Sequence, residues 1–98
     1  MDKRYQVADG YVHRKIADVD ILICVRERIA DFNGYMTLNP AASFLWDAMS
    51  QPKSAKELAL ALTEEFEVTE AQAAKDVEDF LLHLLEKSMI EEVPYDTL

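Results

Sequence analysis

Residues 33–40 read Asn-Gly-Tyr-Met-Thr-Leu-Asn-Pro, and the predicted secondary structure changes within this stretch. Asn33-Gly34 indicates a turn, because both residues tolerate positive φ. A short strand, Gly34 to Leu38, follows the turn. Asn39-Pro40 then places an N-cap residue before a proline at the first helical position, where the missing N–H does no harm. We therefore expect strands before this stretch and helices after it.

Two further strands are predicted upstream. Residues 11–16 and 19–25 are rich in β-branched side chains, and Ala17-Asp18 separates them as a short turn. The second run is almost entirely apolar, which indicates the central and best-buried strand of a three-stranded sheet. Residues 28–32 are compatible with either a strand or an ordered loop.

Three helix starts are predicted downstream. The first is the Asn39-Pro40 pair. Ser54-x-x-Glu57 and Thr69-x-x-Gln72 have the spacing of capping boxes and open the second and third helices. The third helix is the longest, from Glu70 to about Lys87. Its broad apolar stripe comprises Ala73, Val77, Phe80, Leu81, Leu84 and Leu85.

The fold class that follows is α+β. Three short antiparallel strands do not bury their apolar face alone, and three amphipathic helices supply the missing layer. This arrangement, a three-stranded antiparallel sheet followed by three α-helices, is like a winged helix-turn-helix. With 98 residues we expect one domain over 1–98, with an ordered core over about 11–92.

The composition narrows the classes of function. No run approaches the roughly 20 apolar residues of a membrane helix, and residues 1–10 lack the apolar segment of a secretory signal. The single cysteine, Cys24, excludes an internal disulfide, so we expect a cytoplasmic protein. The net charge is −9, and all of the excess lies in residues 47–98, which carry four basic and thirteen acidic side chains. Such a surface repels phosphates, so nucleic acid is not an expected partner, and without a long apolar run neither is a membrane.

Several segments together resemble the PqqD-like family. Residues 28–39, Arg-Ile-Ala-Asp-Phe-Asn-Gly-Tyr-Met-Thr-Leu-Asn, and residues 42–46, Ala-Ser-Phe-Leu-Trp, look like the centre of these proteins. Residues 54–58, 64–68, 76–81 and 85–90 match as well, in the same order and spacing. The segment before the third strand is longer than in the original cofactor-pathway members, which favours a general PqqD-like adaptor over the quinone-cofactor protein itself.

The resemblance implies a recognition element for ribosomally synthesised, post-translationally modified peptides. In such families a precursor's leader peptide lies between the third strand and the third helix. It adds a strand to the sheet, and the core peptide is presented to a modifying enzyme, such as a radical S-adenosylmethionine enzyme. The precursor leader peptide and that enzyme are therefore the expected partners, and the protein is expected not to be an enzyme itself.

The residues give this expectation a physical basis. A short third strand after a turn is expected at the sheet edge, where its main-chain groups are free to accept an extended peptide. Leu82 falls outside the centre of the apolar stripe and is a candidate for the groove wall. The predicted peptide-binding residues are Gly34, Tyr35, Met36, Thr37, Leu38, Phe80, Leu81, Leu82 and Leu85.

Two other functions stay open at this point. One is a winged-helix DNA-binding regulator, although its recognition helix should be basic, and the third helix here holds mostly acidic side chains. The other is a detached accessory subunit of a larger enzyme. His13 and His83 have no partner at metal-ligand spacing, and the chain's two glycines form no phosphate loop. We therefore expect no catalytic residue, no metal and no cofactor.

Overall fold

The computed structural model describes residues 3–25 and 35–93, and the ambiguous segment at 28–32 and the predicted turn at Asn33-Gly34 lie outside these ranges. The described chain contains six strands and three helices. In order they are β1 (Arg4–Val7), β2 (Tyr11–Ile16), β3 (Val19–Cys24), β4 (Tyr35–Leu38), α1 (Pro40–Ala48), β5 (Lys53–Ser54), α2 (Ala55–Glu65), α3 (Glu70–Glu86) and β6 (Ile90–Val93).

The predicted three-stranded sheet is present, with strand order β2-β3-β4 and antiparallel pairing throughout. Ala17 and Asp18 turn the chain between β2 and β3 with φ of 51° and 70°. Positive φ at both central residues is the conformation that matches the twist of a two-residue hairpin. β3 is the central strand, and its Leu22 is 1 % exposed, so the predicted position of the apolar run is confirmed.

A second small sheet, which the sequence analysis missed, has strand order β5-β1-β6. β1 lies at its centre and pairs antiparallel with β6, from Arg4 opposite Val93 to Val7 opposite Ile90. The predicted α+β, winged-helix-like architecture is confirmed, but strands and helices are not fully segregated along the chain. β5 lies between α1 and α2, and β6 follows α3.

All three predicted helix starts are confirmed. The backbone N–H of Ala42 donates to the Asn39 side chain at 2.8 Å, with Pro40 at the first helical position. Ser54 and Glu57 form both hydrogen bonds of a capping box. Thr69 accepts from the Gln72 backbone N–H at 3.1 Å, but the Gln72 side chain donates to Asp76 instead of turning back to the cap. The second predicted capping box is therefore wrong, because only its forward hydrogen bond forms.

One core joins the helices to both sheets. Leu22 and Leu38 come from the first sheet, and Ile90 comes from the second. The remaining buried members are Leu45, Trp46, Met49, Leu58, Leu62, Ala73, Val77, Leu81, Leu84 and Met89. Each described helix therefore contributes one apolar face, as the periodicity of the sequence predicts. In residues 3–25 and 35–93, no helix is long and apolar enough to cross a membrane.

Candidate functional site

β4 lies at an edge of the first sheet. It pairs antiparallel with β3, with Met36 opposite Leu22 and Leu38 opposite Asp20, and among the strands that the structure describes it has no other neighbour. An edge strand presents one row of N–H and C=O groups that is unpaired within the sheet. We call this row the free edge of β4.

The hydrogen-bond pattern of the β2–β3 hairpin determines which residues supply that row. In an antiparallel ladder, alternate residues direct both main-chain groups to the same neighbour. Ile16 and Val19 close the two-residue turn and therefore form a hydrogen-bonded pair. The backbone N–H of Val25 also donates to the Gly10 carbonyl at 2.7 Å, so every second residue from Val19 onward faces β2.

The intervening residues of β3 must then face β4. These are Asp20 and Leu22, which lie opposite Leu38 and Met36. Met36 and Leu38 consequently direct their N–H and C=O groups into the sheet, whereas Tyr35 and Thr37 direct theirs to the free edge. The sequence alone left this alternation undetermined.

The remaining predicted site residues lie in several environments. Met36, Phe80 and Leu85 are partly buried against the core, whereas Leu38 and Leu81 belong to the core itself, at 7 % and 5 % exposure. The exposed positions are Thr37 on β4 and Leu82 on α3, where Leu82 is 56 % exposed. Gly34 lies outside the described residues, and Tyr35 is described here only by its backbone.

The exposed side of α3 is predominantly acidic. Glu70, Glu78, Asp79 and Glu86 are exposed, and Lys75 forms an ion pair with Asp79 at 3.1 Å. Hydrogen bonding to Asp79 raises the pKa of Lys75, so that lysine stays charged. This helix therefore offers little positive charge to a nucleic acid and is unlike the basic recognition helix of a DNA-binding winged helix.

A cluster of polar side chains surrounds His13 on β2. Its Nδ1 lies 2.8 Å from Oδ1 of Asp47 on α1, and its Nε2 lies 2.9 Å from Oδ1 of Asp20 on β3. The Ser43 hydroxyl on α1 is 3.0 Å from the same Nε2. Lys15 approaches the other oxygen of Asp20 at 3.5 Å. We call these five residues the His13 cluster.

Ser43, His13 and Asp47 share the connectivity of a nucleophile, a base and an orienting acid. Two observations argue against that chemistry. Asp20 also lies at Nε2, and a carboxylate there favours a proton on this nitrogen, which then does not accept one from Ser43. Ser43 is also only 8 % exposed, which leaves little access for a substrate.

Comparison with known proteins identifies the family. The family model described as coenzyme PQQ synthesis protein D (PqqD) matches residues 25–90, about two thirds of the sequence. The chain belongs to the PqqD family. No curated protein matches it.

A solved structure has the same fold as this PqqD-family domain. It is described as TbiB1 in complex with the TbiA(beta) leader peptide. The two chains are 24 % identical, with a TM-score of 0.69 over 94 % of this chain and 99 % of that one. Because the family model begins at residue 25, the likeness also covers most of the residues that form β1, β2 and β3.

The sequence analysis of this PqqD-family domain missed the His13 cluster. The contact between His13 and Asp20 was predictable, because a turn at Ala17-Asp18 places the two residues diagonally on one face of the hairpin. No such signal exists for Asp47, which reaches the histidine from a helix 34 residues further along the chain. Within residues 3–25 and 35–93, no group of three His, Cys, Asp or Glu side chains could hold a metal ion.

Proposed function

We propose that this PqqD-family domain binds the leader segment of a ribosomally synthesised precursor peptide as an added strand on the free edge of β4. The observation that carries the proposal is the outward direction of the main-chain groups of Tyr35 and Thr37. An extended peptide pairs with such an edge through its own N–H and C=O groups. The shared fold with TbiB1, whose structure contains a leader peptide, supports the same class of partner.

The pairing pattern also predicts which peptide side chains are recognised. Residues opposite each other in a sheet project to the same face. A peptide residue opposite Met36 would therefore project to the face that carries Leu22 and the core. Its two neighbours would project to the other face, beside the exposed Thr37. We expect affinity from the main chain and specificity from every second side chain of the peptide.

We also propose that α3 forms the wall of the peptide groove, through Phe80, Leu82 and Leu85. Phe80 and Leu85 are partly buried against the core, and Leu82 is 56 % exposed. An exposed leucine among acidic neighbours is suited to cover an apolar side chain of a bound peptide. Isolated exposed leucines are also common on protein surfaces, so a substitution of Leu82 distinguishes the two interpretations.

The domain's role is then to present the peptide to a modifying enzyme, for which a radical S-adenosylmethionine enzyme is the proposed class. We propose that the domain itself is not a catalyst and works without a metal or cofactor. The geometry of the His13 cluster supports this, because Asp20 occupies the nitrogen that would have to activate Ser43.

Two proline substitutions test the free edge with a synthetic leader peptide of a ribosomally synthesised precursor. Thr37→Pro removes an outward N–H, so the fold should survive and affinity should fall about tenfold, the equivalent of one main-chain hydrogen bond. Met36→Pro removes an N–H that faces β3, so it should destabilise the fold by roughly 3 kcal/mol. Calorimetry measures binding, and thermal denaturation measures folding. Thr37→Ala is the matched control, because it keeps the N–H and should bind normally.

A third variant tests the groove wall. Leu82→Glu should weaken binding without loss of stability if Leu82 covers the peptide. Leu60→Glu is its control, because Leu60 on α2 is equally exposed, at 57 %, and lies outside the proposed groove. If Thr37→Pro and Leu82→Glu both fold and both bind like the unmodified protein, the peptide binds elsewhere and the proposal is wrong.

A further inference from the structure

The His13 cluster joins three elements that are separate in sequence. His13 lies on β2, Asp20 on β3, and Ser43 and Asp47 on α1. The His13 and Asp20 side chains are largely enclosed, at 18 % and 13 % exposure, whereas Asp47 is 62 % exposed. The cluster therefore forms a polar contact between the hairpin and the helix that follows β4.

Only the protonated form of His13 satisfies this geometry. A neutral imidazole has one N–H, so it donates to either Asp47 or Asp20 and turns a lone pair toward the other carboxylate. A hydrogen bond from Ser43 does not relieve this repulsion. If its hydroxyl donates to Nε2, the Asp20 carboxylate still faces the Nε2 lone pair at 2.9 Å. An imidazolium donates to both carboxylates at once, and with Lys15 it balances their two charges.

We propose that the His13 cluster is a pH-sensitive clamp that holds α1 on the β2–β3 hairpin while His13 is protonated and loosens it when His13 loses its proton. Each described element that lines the cleft at His13 contributes a charged side chain. Lys15 and Arg14 come from β2, and Asp20 comes from β3. Asp47 of α1 and Glu65 of α2 line the same cleft.

The direction of the pKa shifts agrees with the clamp. Burial by itself lowers the pKa of His13, but its hydrogen bonds to Asp47 and Asp20 outweigh burial and raise that pKa above the ordinary value of 6.5. The hydrogen bond from His13 lowers the pKa of Asp20, against the opposing effect of burial. Both charged forms are therefore favoured in the folded protein.

The sign of the pH dependence follows from linkage. Because the folded pKa of His13 is raised, its contribution to stability is complete below about pH 6.5 and is lost as the pH rises through the folded pKa. Because the pKa of Asp20 is lowered, its contribution is present above its ordinary pKa and is lost as the pH falls through the folded value. The clamp should stabilise most between these two limits.

NMR titration of the histidine rings tests the clamp directly. The chain has two histidines, so a His83→Gln variant assigns the His13 signal and should leave its titration unchanged. We expect the His13 midpoint above about 6.5, the ordinary histidine value. Asp47→Asn removes one carboxylate from an exposed position and should lower that midpoint. A His13 midpoint at or below the ordinary value, or one that Asp47→Asn does not move, would overturn the proposal.

Thermal denaturation gives an independent measurement. The difference in Tm between the unmodified protein and His13→Gln should shrink as the pH rises from about 6 to about 9, where His13 is neutral. His83→Gln should show the same pH profile as the unmodified protein. If His13→Gln does not fold, Asp47→Asn takes its place in the comparison. A Tm difference that is constant over this pH range contradicts the clamp.

A consequence for binding rests on the proposed function. β4 leads into α1 through Asn39, so loosening α1 should also loosen the free edge of β4. Affinity for the same synthetic leader peptide should fall about fivefold between pH 6 and pH 9, the lower end of usual coupling between two sites. His13→Gln should abolish that dependence. Equal affinity at both pH values overturns this link, whereas no binding at any pH contradicts the proposed function and leaves the ring titration to decide the clamp.

Discussion

Ser54 and Thr69 are the N-cap residues of α2 and α3, but they make different hydrogen bonds. The Ser54 backbone N–H donates to Glu57 Oε1 at 2.9 Å, and the Glu57 N–H donates to Ser54 Oγ at 3.0 Å. Ser54 is 5 % exposed and also pairs with Arg4 in the second sheet. Thr69 is exposed and makes only the forward bond, because the Gln72 amide is hydrogen-bonded to Asp76 at 2.7 Å.

The two caps should therefore differ in their contribution to stability. Ser54→Ala should lower the free energy of unfolding by about 2 kcal/mol, near the upper end for N-caps, because it leaves the Glu57 N–H without its acceptor at a part-buried helix start. Thr69→Ala should cost roughly 0.5–1 kcal/mol, because water replaces the lost bond at an exposed helix start. Urea denaturation of both variants measures the difference. Equal costs would contradict this account of the two caps.

At the scale of elements, β1 connects the N-terminal residues to the ends of α1 and α3. The Val7 N–H donates to the carbonyl of Met49, just after α1, at 3.0 Å. The Ala8 N–H donates to the carbonyl of Met89, just after α3, at 3.0 Å. By the alternation of an antiparallel ladder, Gln6 directs its N–H toward β6 in the same way as Ala8.

A proline in β1 should consequently destabilise the whole domain. Gln6→Pro removes an N–H from the central strand of the second sheet and should lower the free energy of unfolding by roughly 2–3 kcal/mol. Gln6→Ala keeps the N–H and removes only the side-chain bond to the Ser50 carbonyl, so it should cost much less. Thermal denaturation compares the two. Equal stability of these variants would show that β1 contributes little to the fold.

For the molecule as a whole, the surface charge distinguishes between DNA and a peptide as partners better than the fold does. A winged-helix-like fold is compatible with DNA binding, but fold alone does not decide function. The net charge is −9, and the exposed side of α3, where a recognition helix would be basic, carries Glu70, Glu78, Asp79 and Glu86. The proposed peptide partner needs no phosphate contacts, because the proposed binding is through the main chain of β4.

We therefore expect no binding of duplex DNA at physiological salt. Phosphate contacts supply most non-specific affinity, which for DNA-binding proteins has a Kd of about 10⁻⁴–10⁻⁶ M, and this surface should not reach that range. Titration of a labelled duplex measures it, with the synthetic leader peptide as the positive control. Micromolar DNA binding that weakens steeply with added salt would favour a regulator instead.

Local signals in the sequence determined most of the elements. The β2–β3 hairpin was predictable because Ala17-Asp18 separates two β-branched runs, and all three helices were predictable from Asn39, Ser54 and Thr69. Each of these features depends on residues within a few positions of one another. The edge position of the strand ending at Leu38 and the PqqD-like resemblance also followed from sequence, whereas the roles of the proposed peptide-binding residues remain predictions.

Three further features depend on tertiary contacts, and each joins residues that are distant in the chain. β1 and β6 pair Arg4 with Val93, and neither short strand has enough apolar residues to be recognised by itself. Asp47 reaches His13 only because α1 packs on the hairpin. The outward direction of Tyr35 and Thr37 follows from the hydrogen-bond phase of the neighbouring strands, which composition does not encode. Local sequence signals were enough to predict the first sheet and the three helices, whereas long-range pairing sets which main-chain groups lie at the free edge of β4.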